Sequence, residues 1–154
     1  MPMRKLKDFL DAMGVDYITT SHKPAFTAQE TAQACHVPGM NLAKTVMVQL
    51  NGKLTMTVLP AHYMVDIYKL QQYTHAYSLR LAREKDFDAA FPECEVGAMP
   101  PFGNLFGMEV FAEEALCNDI NISFNSGTHS EIVTMPYTQW TQLVHPYTAD
   151  FHRV

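Results

Sequence analysis

The most constraining stretch of this 154-residue sequence is Thr45-Val-Met-Val-Gln-Leu50, then Asn51-Gly52, then Lys53-Leu-Thr-Met-Thr-Val-Leu59. Two runs rich in β-branched and apolar residues flank a dipeptide that accepts the positive φ angles of a type I′ turn, so a β-hairpin is predicted from Lys44 to Pro60. Lys44 then stands at a strand entrance, where a scaffold can hold its side chain in a fixed direction.

The flanking periodicities supply the other elements. Leu6, Phe9, Leu10 and Met13 recur at helical spacing among charged residues, and Gly14 follows where a left-handed C-cap residue belongs. Val15 to Thr20 reads as a strand, and Thr27 with Glu30 forms a capping-box pattern opening a helix toward His36 that Pro38-Gly39 closes. Asp66 can cap a short helix through Leu70 and Tyr73, and Ser78 to Ala82 alternates as a strand. Phe87 and Phe91 lie at i, i+4 on a short helix that Pro92 ends. Glu95 to Asn104 is too rich in Gly and Pro for a regular element and must be a restricted loop. Beyond it, Met108–Phe111, Ile120–Phe124 and Glu131–Met135 read as strands, and Glu113 to Leu116 as a helical turn. Ser126-Gly127-Thr128 connects the last two strands. Pro136 leads into a closing helix with Trp140, Leu143 and Val144 on one face. Strands and helices without regular βαβ alternation predict an α+β fold.

Size and composition limit the function classes. The length suits one core, with residues 1–154 as a single domain, and 47% hydrophobic against 18% charged residues suits a folded chain. Eleven basic and sixteen acidic residues leave a net charge of −5, which counts against a general DNA or RNA binder. No apolar run reaches the ~20 residues of a membrane span, and Met1 to Lys7 lacks the apolar stretch of a signal peptide, so a cytoplasmic location is expected. Cys35, Cys94 and Cys117 are odd in number and lack a CxxC pair, which fits reduced thiols.

The common catalytic signatures are missing: there is no HExxH, GxSxG, Walker loop or GxGxxG after a strand. The seven histidines have no metal-ligand spacing, so neither a metal nor a cofactor is expected. Cys94 reads as a small buried hydrophobe rather than a nucleophile, and Met47, Met56, Met108 and Met135 as core. What remains is a strand-entrance lysine, a Gly/Pro loop and a Gly-Thr-His turn. Taken singly, each has an ordinary structural reading, as a solvated edge residue, a tight connection and a turn.

Taken together and in order, they carry a resemblance. The segment His22-Lys-Pro-Ala-Phe-Thr-Ala-Gln-Glu30, then Ala43-Lys44-Thr45, the loop Gly97-Ala-Met-Pro-Pro101-Phe-Gly103, and Ser126-Gly127-Thr-His129 are similar to the motifs of the YbaK/prolyl-tRNA synthetase-associated family of aminoacyl-tRNA deacylases. The resemblance spans essentially the whole chain. It implies a mixed, largely antiparallel curved sheet or partly open barrel surrounded by short helices. It also implies a free-standing editing domain that hydrolyses the ester joining a wrong amino acid to the 3′-terminal adenosine of a tRNA. An aminoacyl ester is already activated, so placed backbone donors and held geometry can accelerate its hydrolysis without a serine or cysteine nucleophile.

On that resemblance Lys44, Gly97 and Pro101 are the catalytic candidates. Lys44 would engage the terminal phosphate, Gly97 would let the backbone approach the ester, and Pro100-Pro101 would stiffen the loop that aims the Gly97 and Ala98 amides. Thr45, Ala98, Phe102, Gly103, Gly127 and His129 are the substrate-binding candidates, with Gly127 and His129 beside the aminoacyl group. The activating base would be a substrate ribose hydroxyl or a positioned water. The implied partners are the acceptor end of a mischarged tRNA and a synthetase, with no DNA and no membrane. Lys23, Arg80, Arg83 and Lys85 are further cations near the acceptor end. Small amino acids such as Ala, Ser, Thr or Cys are the implied cargo. Two alternatives stand beside this reading: a non-catalytic module holding an acceptor end or synthetase, and a domain of the same fold with a small-molecule substrate.

Overall fold

A computed structural model of the chain describes residues 3–23 and 42–154. The predicted capping box at Thr27 and Glu30, the helix toward His36 and its Pro38-Gly39 stop lie outside the described residues.

Helix α1, Arg4–Ala12, buries Leu6 and Leu10 and carries the i, i+4 pairs Arg4–Asp8 and Lys7–Asp11 on its outer side. Gly14, at φ +70, turns the chain as predicted. Strand β1, Ile18–Ser21, starts later than the pattern suggested, because Val15 and Tyr17 pack against the core instead of joining the sheet. The hairpin forms as predicted. Strand β2, Leu42–Leu50, pairs antiparallel with β3, Lys53–Pro60, in the register Leu50↔Lys53, across Asn51 (φ 52) and Gly52 (φ 80).

A short strand β4, Met64–Val65, precedes helix α2, Ile67–Thr74, whose Asp66 cap accepts from the Lys69 amide. Strand β5 is Leu79–Leu81 and helix α3 is Glu84–Phe87. A 3₁₀ turn, Asp88–Ala90, takes over before Phe91, so Phe87 and Phe91 meet edge to face across a change of helix type. Strand β6, Val110–Glu113, begins two residues after Met108 and takes Glu113 into the sheet rather than into the helical turn predicted for it. Strands β7, Asn121–Asn125, and β8, Glu131–Pro136, precede helix α4, Tyr137–Val144. Two unpredicted strands close the chain, β9, Tyr147–Ala149, and β10, His152–Arg153.

The main sheet runs β1-β8-β7-β2-β3-β6-β9, with β5 also on β2, and β4 pairs with β10 separately. Its β1/β8, β7/β8, β2/β3 and β2/β5 pairs are antiparallel, and β2/β7, β3/β6 and β6/β9 are parallel. This is the expected α+β architecture, a mixed sheet with short helices. Strand alternation sends Val58, Val110 and Ala112 into the larger core with Phe102, Phe124 and Trp140, and sends Leu59 and Phe111 to a second cluster with Leu70 and Phe151. The buried Met47, Met56 and Met135 are core, as expected. No helix among the described residues is long and apolar enough to cross a membrane.

Glu113 fastens the end of the chain. Fully buried, its carboxylate accepts from the Phe151 amide at 2.7 Å, the Ala115 amide at 3.3 Å and the His152 ring at 3.0 Å. Tyr63 stacks on the same imidazole.

Candidate active site

The site lies where one edge of β2 changes partner. Along that edge Leu42 and Ala43 pair with Ser123 and Phe124 of β7, and Val48 to Leu50 pair with Leu81 to Leu79 of β5. Residues 44–46 have no strand against this edge among the described residues. The sheet therefore splits there, and the chain leaving β7 turns away through Ser126 and Gly127.

Lys44 stands at this split. It is half-buried, and its ammonium has neither a hydrogen bond nor a carboxylate partner among the described residues. Desolvation alone pushes its pKa below the usual lysine range. A lysine that served only as a solvated edge residue would keep its charge in water. This one is partly desolvated, with no anion beside it among the described residues.

The Gly97 loop and the Gly127 turn form one unit. The Glu95 amide donates to the Gly127 carbonyl at 2.8 Å, and the Gly127 amide donates to the Ala98 carbonyl at 2.9 Å. The Glu95 carboxylate accepts from the His129 amide at 3.2 Å, and the His129 ring Nε2 meets the Val96 carbonyl. A carbonyl only accepts, so that contact sets the Nε2–H tautomer of His129. The unit is anchored to the end of β7, whose Asn125 stands two residues before Gly127 and, by extension of the β2/β7 register, beside Lys44.

Within the unit, Gly97 is exposed at φ +84, and its N–H makes no hydrogen bond among the described residues. Ala98 is different: it is buried and its N–H is spent on the Glu95 carbonyl at 3.1 Å, so of the two expected donors only Gly97 is open. Pro101 is buried and acts through its carbonyl, which accepts from the Trp140 indole N–H at 3.0 Å. The loop is thus held by α4 as well as by its prolines.

Three substrate-binding candidates take other places. The Phe102 ring is fully buried between Phe9 and Phe124, at centroid distances of 6.2 and 5.4 Å, and so belongs to the core. A Cβ on Gly103 would stand 2.5 Å from Val110 Cγ2 and 2.7 Å from the Met108 carbonyl oxygen, so this glycine serves close packing. Thr45 alternates to the face of Ala43 and Met47, opposite Lys44. Gly127 is buried at φ +102, and the space for a side chain there is taken by Met3 at 3.0 Å. Its freedom serves the turn and the amide that holds Ala98.

Cys94 is partly buried and lies 3.5 Å from Met3 Sδ, with its pKa pushed up to about 11 by burial and by Glu93, which disfavours a nucleophilic thiolate. Arg80 and Arg83 both face Asp86, at 3.1 and 3.6 Å, while Lys23 and Lys85 are exposed. The fold also gathers Glu113, Asp150 and His152 within metal-ligand reach. Lys69 sits 3.5 Å from Asp150, and the Glu113 oxygens are occupied by amides, so internal partners already serve this trio. Sequence reasoning missed Asn125, which carries no motif signal and draws notice only through its burial beside Lys44.

The fold is thus a mixed α+β sheet split beside a lysine that has no anionic partner among the described residues, with a glycine-bearing loop hydrogen-bonded to the next turn. The chain belongs to the aminoacyl-tRNA editing domain family, whose sequence pattern matches residues 22–143. No curated protein matches the sequence. Among solved structures, the chain is similar to hypothetical protein APE2540, with 19% identity, a TM-score of 0.87, and 97% of this chain and 100% of that one covered. It is also similar to a protein described as a candidate trans-editing enzyme for prolyl tRNA synthetase, with 18% identity, a TM-score of 0.82, and 99% and 97% covered. A longer protein from Marinobacter aquaeolei, described as a candidate signal transduction protein, has the same fold over 30% of its length, with 14% identity, a TM-score of 0.73 and 95% of this chain covered.

Proposed function

We propose that this chain is a free-standing trans-editing deacylase that hydrolyses the ester of a tRNA mischarged with a small amino acid. The observation that carries the reading is the half-buried Lys44 ammonium, without an anionic partner among the described residues, at the split where β7 hands the chain to the Gly97–Gly127 unit. A terminal phosphate of the acceptor end supplies the missing charge, and binding it recovers the desolvation penalty of the lysine.

The rest of the unit fits ester hydrolysis. Water adds to the ester carbonyl carbon, negative charge grows on its oxygen, and the bond to the ribose oxygen breaks, releasing the amino acid and the tRNA 3′ end. The exposed Gly97 N–H is a donor for that growing charge, held in place by Trp140 through Pro101 and by the Gly127 amide through Ala98. A backbone donor fixed before the substrate arrives needs no reorganisation, and one such donor contributes about 10²–10³ in rate. The proton from water is relayed by the neighbouring ribose hydroxyl or a second water to the departing ribose oxygen, and the released carboxylic acid ionises in solution.

Purified protein incubated with a panel of tRNAs mischarged with Ala, Ser, Thr or Cys releases amino acid from at least one of them. Lys44→Ala lowers that rate at least ~100-fold. Saturable binding with no release from any charged tRNA would instead identify a non-catalytic acceptor-end module. Hydrolysis of free amino-acid esters with no dependence on tRNA would identify a small-molecule hydrolase.

A further inference from the structure

Strand pairing ends at Ala43 and Phe124, so Lys44 and Asn125 are the next residue of each strand, where β2 and β7 part, and alternation gives them the same face. Asn125 is 8% exposed, and its side-chain Oδ1 is buried and accepts no hydrogen bond among the described residues. Two neighbours among the described residues do not serve it. Ser123 Oγ is joined to Thr134 Oγ1 at 2.7 Å, and the cross-strand partner on β8 is the apolar Ile132. Lys44 has three donors and a flexible stem in the adjacent register, yet it makes no bond to Asn125. Buried amide oxygens in native folds are nearly always satisfied, and one left without a partner where two strands part marks a place for a donor.

The substrate class brings such a donor. An aminoacyl ester carries an α-ammonium next to the scissile carbonyl, and Lys44 would repel it unless an acceptor stood close by. We infer that Asn125 is a positioning residue whose side-chain oxygen accepts from the α-ammonium of the aminoacyl group, setting the ester carbonyl toward the Gly97 N–H. This assignment rests on the deacylase reading of the same site. A neutral amide suits the task, since it leaves the Lys44 charge available for the phosphate, whereas a carboxylate in that place would compete for it.

The test uses the full chain and the charged tRNA that wild type cleaves fastest, together with the same tRNA after nitrous acid has converted the α-amino group to hydroxyl. Wild-type cleavage of the aminoacyl ester tests the deacylase reading alone, and the amino-to-hydroxy rate ratio tests Asn125. Asn125→Ala lowers kcat/KM for the aminoacyl ester by about ten- to a hundredfold and for the hydroxyacyl ester much less, so the ratio collapses. Asn125→Asp, which keeps shape and acceptor, retains the ratio or raises it while weakening tRNA binding. Should the alanine variant not fold, the aspartate variant decides. A wild-type ratio in Asn125→Ala, or a collapsed ratio in folded Asn125→Asp, overturns the assignment, even with deacylation intact.

Discussion

The Gly127 amide donates to the Ala98 carbonyl at 2.9 Å, so a turn between two strands holds the loop that presents Gly97. Gly127→Ala places a side chain at φ +102 and a Cβ 3.0 Å from Met3. Strain of about 1–3 kcal/mol follows, and the amide moves away from Ala98. Thermal unfolding should show a lowered Tm, and deacylation should fall with it. An unchanged Tm would mean that the turn tolerates the side chain and that the stated geometry is wrong.

Trp140→Phe keeps most of the core volume but removes the indole N–H that binds the Pro101 carbonyl. A buried carbonyl without a partner costs about 1–3 kcal/mol. The variant should lose that much in denaturant titration and, on the proposed role of the Gly97 N–H, lose kcat more than it raises KM. A pure KM effect would place Pro101 in ground-state binding instead.

Lys44 sets function against stability. Its charge is partly desolvated with no compensating partner among the described residues, so Lys44→Met should abolish deacylation while raising stability by about 0.5–1 kcal/mol. A destabilised Lys44→Met protein would show that the ammonium has a structural partner.

The same lysine sets a pH limit. Burial lowers its folded-state pKa below the unfolded value, so between the two the unfolded chain binds more protons and stability rises with pH. Activity runs the other way, since phosphate binding needs the charged form. After subtraction of spontaneous hydrolysis, the rate should fall on an alkaline limb that lies below the ordinary lysine range, and Lys44→Arg should move that limb upward in whatever activity it retains. A limb that Lys44→Arg leaves in place would belong to another group.

Gly103 and Glu113 separate packing from chemistry. Gly103→Ala drives a methyl group into Val110 and should cost about 1–3 kcal/mol with KM unchanged in the folded fraction. Glu113→Ala leaves the Phe151 and Ala115 amides without an acceptor and should cost about 2–4 kcal/mol, read by denaturant titration, with release of β10 followed by amide exchange at Phe151. Full protection at Phe151 would show that Glu113 does not hold the C-terminal strands.

Local chemistry was readable from the residues alone. The Asn51-Gly52 turn, the apolar stripe of α1, the Asp66 cap and the Gly/Pro loop each depend on contacts within a few positions, so their residue types announce them. The order of Lys44, Gly97, Gly127 and His129 likewise pointed to the family. The places of Phe102, Gly103 and Thr45 were not readable in the same way, because a motif shows which residues occur together but not which way a side chain faces.

Sequence by itself determined the hairpin, the α+β class and the place of Lys44 at a strand entrance, since these follow from backbone preference and periodicity. Only the tertiary structure decided where β2 loses its neighbour, that Trp140 anchors Pro101, that Glu113 holds the end of the chain, and that Asn125 is buried beside Lys44. Each of those depends on strands and loops far apart in the chain meeting in one register, and pairing at that distance is set by the packing of the whole sheet.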